Sequence, residues 1–114
     1  MSEKKWNQEH RRFIYRRVFA AFGDVGGWVL HSWPKGKKKE FDTLIEEIRL
    51  DLKSVFALEV SCKAITNQLN WGIQPNQRVI KNSGMIQNWI HNRSAALEVG
   101  LIKSANLPST MMLH

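Results

Sequence analysis

The sequence has a single cysteine, Cys62, among its 114 residues. One thiol excludes an internal disulfide and agrees with a reducing cytoplasm as the setting. Acidic residues are scarce in the second half, where residues 60–114 hold Glu98 alone against five Lys and Arg. Long apolar runs are missing as well. The longest uncharged stretch, residues 64–77, is filled with Asn and Gln, so no membrane span is expected. Near the start, Arg11, Arg12, Arg16 and Arg17 interrupt the apolar residues that a signal peptide would need.

Chemical signatures are lacking too. His10, His31, His91 and His114 stand apart from one another and from Cys62, without the spacing of a zinc site. No glycine-rich phosphate loop ending in Lys-Ser or Lys-Thr occurs, and no Gly-x-Ser-x-Gly elbow. The reading is therefore a binding protein and not an enzyme, with no cofactor, no metal and no catalytic set.

What is there is enough to fold. The chain is 43% hydrophobic and holds five tryptophans, and its length suits one domain with its own core. The expected architecture is mainly α, a small single-domain bundle of four to five helices over residues 1–100, followed by a tail over 101–114.

The spacing predicts a first helix over 6–22, with Trp6, Phe13, Ile14 and Val18 on one broad face and Gly23 as its stop. Arg12 and Arg16, four apart, fall together on the opposite side. A second helix over 40–54 carries Phe41, Leu44, Ile45, Ile48 and Leu52 at i, i+3, i+4, i+7 positions. The pattern then runs on through Val55, Leu58, Cys62, Ile65 and Leu69, with Cys62 expected as a small buried hydrophobe. Ser54 and Ser61 are the expected points of interruption if residues 40–69 form two helices. Asn70-Trp71-Gly72 is read as the end of that segment, and Pro75 as the opening of a brief helix over 76–80.

Ser83 is the candidate cap of a final helix reaching Gly100. Its expected apolar face joins Met85, Trp89 and Ala96 to Ile86, Ile90, Leu97 and Leu101. Helix, punctuated connection, helix gives the C-terminal half a helix-turn-helix-like plan. Ala64, Leu69 and Gly72 are, however, too far apart for the usual spacing of that motif.

The formal net charge is +7, and it is segregated: +7 over residues 1–39, −4 over 40–59 and +4 over 60–114. Basic ends around an acidic middle point to a polyanion or to an acidic protein surface as partner. The first reading is a nucleic-acid-binding regulatory or accessory protein, with DNA favoured over RNA. Its phosphate contacts are expected from Arg11, Arg12, Arg16 and Arg17, where aromatic residues interleave with the arginines, and from the loop lysines Lys35, Lys37, Lys38 and Lys39. Arg78 and Lys81 in the connection extend that set. Gln87, Asn88, His91, Asn92 and Arg93 are the expected polar face of the last helix, since Asn, Gln and Arg pair with base edges. A homodimer is compatible with this plan.

The competing reading is a protein-binding inhibitor or adaptor of the kind that mobile elements encode. Its contacts would be Tyr15, Phe19, Trp28, Trp33 and the apolar run Met111, Met112 and Leu113, because aromatic residues and Met are enriched in interface cores.

Overall fold

The computed structural model describes residues 6–24, 36–73 and 83–103. Four helices account for most of them: α1 (Gln8–Phe22), α2 (Lys38–Phe56), α3 (Cys62–Ile73) and α4 (Ser83–Glu98), with no strand among the described residues. The fold is the expected small helical bundle. Lys35, Arg78, Lys81, Trp28, Trp33, Met111, Met112, Leu113 and the brief helix read over 76–80 lie outside the described residues.

Each helix is bounded by a local device. At the start of α1, the Asn7 side chain accepts from His10 N at 2.9 Å, while Asn7 N donates to His10 Nδ1 at 3.3 Å. This reciprocal capping satisfies two groups that an open helix end would leave unbonded. Gly23, at φ 80, closes α1 by donating to Phe19 O.

The open choice between one helix and two over 40–69 resolves as two. Helix α2 ends where Ala57 turns left-handed, at φ 57, and α3 begins after Ser61, whose hydroxyl accepts from Ala64 N at 3.1 Å. That places Ser61 as the N-cap, while Ser54 stays inside α2. The break takes Val55 out of the expected apolar seam and leaves it 62% exposed. Cys62, opening α3, is half-buried and its Sγ donates to Glu46 Oε1 at 3.2 Å, so it is not the core hydrophobe expected.

Helix α3 also continues through Asn70-Trp71-Gly72, the expected stop, to Ile73. The reason is tertiary. Gly72 faces Tyr15, and a Cβ at position 72 would fall 2.6 Å from Tyr15 Cζ. The glycine serves close approach there, and its usual cost inside a helix is about 1 kcal/mol.

At the far end of α4, Gly100 (φ 86) donates to Leu97 O and Leu101 N donates to Ala96 O at 3.0 Å. This glycine-centred reversal turns the chain back onto the body of the protein. Leu101 and Ile102 are consequently buried, so the core extends past the boundary expected at residue 100.

The core joins Ile14, Tyr15 and Val18 of α1 to Leu44, Ile45, Ile48 and Leu52 of α2, Ile65 and Leu69 of α3, and Ala95 and Ala96 of α4. Helices α3 and α4 share the most extensive contact, followed by α1 with α4. An aromatic group ties α1 to the end of α2, with the His10 and Phe13 rings 5.0 and 5.4 Å from that of Phe56, each edge to face.

Candidate nucleic-acid interface

The arginines of α1 divide by helical position. Arg11 falls on the line of Ile14, Tyr15 and Val18, so it is buried and not the surface cation expected. Its Nη1 donates to Gln8 Oε1 at 2.9 Å, and its Nε has no hydrogen-bond partner among the described residues. Burial lowers its pKa, with the neighbouring Tyr15 opposing that shift.

Arg12 and Arg16 keep the outward side predicted for them. Arg12 Nε meets Glu98 Oε1 at 2.6 Å, and this hydrogen bond raises the guanidinium pKa and lowers that of the carboxyl. Arg16 is exposed and makes no ion pair among the described residues. Arg17 lies on the other flank, held closely by Asp51 and, at 3.5 Å, by Glu47. The like-charged pair Glu47 and Asp51, one turn apart on α2, is thus a receptor for a base of α1.

Lys37, Lys38 and Lys39 stand exposed at the amino end of α2. Lys38 reaches Asp42 at 2.9 Å, while Lys37 and Lys39 have no ion pair among the described residues. Cations at a helix amino terminus oppose the helix dipole, so these lysines do not stabilise α2. With the N–H groups of that helix end they form a cationic corner, which Glu40 in the first turn and Asp42 on Lys38 partly offset.

Helix α4 is rotated relative to the expected face. Gln87 and His91 are exposed and Asn88 half-buried, but Asn92 and Arg93 are inside. Ile86 and Ile90 are half-buried, and Leu97 is 41% exposed.

The rotation follows from Tyr15, which is fully buried and needs polar company. Its single phenolic proton lies between two acceptors, Gln68 O at 2.6 Å and Asn92 Oδ1. Asn92 Nδ2 in turn donates to Gln68 Oε1 at 3.0 Å and to Asn88 O at 2.8 Å. Arg93 donates to Gly72 O at 3.4 Å and lies 5.8 Å from the Trp89 ring centroid. Asn92 and Arg93 are therefore interior linkers of α1, α3 and α4 and cannot also touch a base. Tyr15 likewise leaves the surface proposed for a protein partner.

The structure brings together Arg12, Arg16 and the outward line of α4. Gln87, His91, Ser94 and Glu98 recur at four, three and four residues, which keeps them on one face, and Glu98 ends that line against Arg12. Arg17 and the Lys37–Lys39 corner are not part of this seam.

Two surface features escaped the sequence reading. Lys63 and Asn67 are exposed on α3 and Asn70 is half-buried, at i, i+4, i+7 spacing in the stretch without acids. That spacing was the available signal. Between α2 and α3 there is also an open cavity of about 370 Å³, lined by Arg49, Lys53, Glu59, Val60 and Ser61. Its cations are already engaged, Arg49 by Glu46 and Lys53 by Glu59. The Arg49 hydrogen bonds, assisted by Cys62, hold the Glu46 carboxyl down at about 2.

Among the described residues no group of His, Cys, Asp and Glu could hold a metal ion, and no helix is long and apolar enough to cross a membrane. No protein family, no curated protein and no solved structure matches this chain.

Proposed function

We propose that the protein binds nucleic acid, duplex DNA in preference to RNA, as a small regulatory or accessory factor that acts by binding and not by catalysis. The observation that carries this reading is how the charges are spent. Glu46, Glu47, Asp51, Asp42, Glu59, Glu98 and Asp24 each meet a base of the same chain. Exposed cations without an ion pair among the described residues remain at Arg16, Lys37, Lys39 and Lys63, against the exposed acids Glu9 and Glu40. Such a surface attracts phosphate without reading sequence, and Gln87 and His91 offer hydrogen-bonding groups beside it. On this reading the protein works in the cytoplasm.

The test is anisotropy of a labelled mixed-sequence duplex, compared with a single strand and an RNA, across a range of salt. Affinity for the duplex is expected to fall by about two orders of magnitude or more over a fourfold rise in salt. Replacing Lys37, Lys38 and Lys39 by Ala weakens binding and flattens that dependence. An absence of binding at low salt overturns the reading. Sedimentation of the complex reads the stoichiometry, one copy or a homodimer per duplex.

A second reading, a protein-binding inhibitor or adaptor, has one observation in its favour: Phe19 and Leu97 stand exposed by 40% and 41%. A stoichiometric protein partner that survives nuclease treatment would carry it.

A further inference from the structure

We propose that the α1–α4 seam is a phosphate seat in which Glu98 occupies the place of a phosphate, so that Arg12 is handed from Glu98 to the nucleic acid on binding. The inference rests on the nucleic-acid reading and deepens it by naming the seat and its internal competitor.

Four observations converge on Glu98. Its Oε1 takes a short contact of 2.6 Å from Arg12 Nε, a geometry that a phosphate oxygen reproduces. Arg16 lies one turn further along the same side of α1, is exposed, and is within electrostatic reach of the same carboxylate. Glu98 is also the only acidic residue after Glu59, so nothing else on α3 or α4 repels a polyanion. Finally, Glu98 is the last residue of α4, where the negative end of the helix dipole disfavours a carboxylate. A carboxylate there serves its helix poorly and serves two arginines of another helix well.

The neighbours fit an extended anionic backbone. Gln87, His91 and Ser94 are exposed and run along α4 into Glu98, offering hydrogen-bonding groups and no negative charge. Arginine is suited to phosphate because its planar fork meets two oxygens at once. Both members of the Arg12–Glu98 pair are accessible to solvent, with side chains 34% and 49% exposed. The exchange of carboxylate for phosphate therefore needs no movement of a helix.

The decisive experiment compares Glu98→Gln with Glu46→Gln by anisotropy on the same labelled mixed-sequence duplex. The two glutamates are matched: each is 49% exposed and each pairs with an arginine, Glu46 on α2 with Arg49. Either change adds one unit of net positive charge. Glu98→Gln is expected to bind about tenfold tighter, with a salt slope steeper by roughly 0.9. Glu46→Gln should gain no more than about twofold from the long-range field. Adding Arg12→Ala to Glu98→Gln should remove the gain, with circular dichroism confirming the fold of each variant. Equal tightening by the two glutamine variants overturns the proposal, as does a gain that survives Arg12→Ala, and in both cases the nucleic-acid reading stands. If neither the unaltered protein nor any variant binds the duplex at low salt, that reading falls and the proposal falls with it.

Discussion

Helix α2 buries Leu44, Ile45, Ile48 and Leu52 and nothing polar, whereas α3 and α4 bury Gln68, Asn92 and Arg93 among Ile65, Leu69, Trp89 and Ala95. The two sides of the bundle are specified differently. Against α2, apolar area and shape decide the packing, and the charges sit at the rim, where Arg17 meets Glu47 and Asp51. Between α1, α3 and α4, the Tyr15 phenol must meet Gln68 O and Asn92 Oδ1 while its ring rests against Gly72. Apolar contact tolerates sliding. A hydrogen-bonded group in a dry interior does not, because each unmet partner keeps its full desolvation cost. The α3–α4 side is thus the more exactingly oriented, and it also carries the outward line of α4 that the functional proposals use.

Removing bulk from the aliphatic side should give the largest effect. Ile48 is fully buried, and Ile48→Ala is expected to cost about 2–5 kcal/mol in urea unfolding, lost apolar transfer plus the cavity left behind. A loss below about 1 kcal/mol would mean that α2 is less firmly docked than its burial indicates.

Tyr15→Phe probes the other side with little change of volume. It removes the phenolic donor from Asn92 Oδ1 and from the helical carbonyl Gln68 O, at a cost of about 1–3 kcal/mol. A neutral result would show that the network orients the helices without holding them.

The smallest effect at ordinary pH becomes visible in alkali. Burial raises the Tyr15 pKa well above its ordinary 10.0. A group whose folded pKa is raised lends stability that is complete below the unfolded value and lost as pH rises toward the folded one. Unfolding free energy should therefore decline above about pH 10, and Tyr15→Phe should flatten that decline. Cys62, also raised by burial, adds a loss of the same sign starting from its ordinary 9.0. Tyr15 is the only tyrosine, so the tyrosinate absorbance follows this one site.

Helix periodicity and punctuation were readable in the chain wherever the deciding contacts are local. Gly23 ends α1 and Ser61 opens α3 because a cap is settled within a few residues. The aliphatic stripe of α2 was equally plain, since apolar residues three and four apart leave one arrangement.

Legibility failed where a distant residue overrides the local preference. Arg11, Asn92 and Arg93 are polar, and periodicity assigns polar residues outward. Asn92 lies inside because Tyr15, 77 residues earlier, requires a polar partner, while Arg11 and Arg93 are held inside against Gln8 Oε1 and Gly72 O. Gly72 reads as a helix breaker until the ring it accommodates is known. In the candidate seam, Arg12, Arg16, Gln87 and His91 were identified from residue type, whereas Glu98 was not, because a lone acid near the end of a helix gives no sign that an arginine 86 residues earlier will hold it.

The packing of the first helix against the last has a kinetic side. Contacts between α2 and α3 join neighbouring stretches of chain and close quickly. The Tyr15–Asn92 and Arg12–Glu98 contacts must close loops of 77 and 86 residues, and loops of that length carry a larger entropic barrier. During synthesis, the α2–α3 elbow can therefore form early while the Tyr15 pocket stays open. The core is complete only once Leu101 and Ile102 have left the ribosome, and until then α1 waits with one face uncovered.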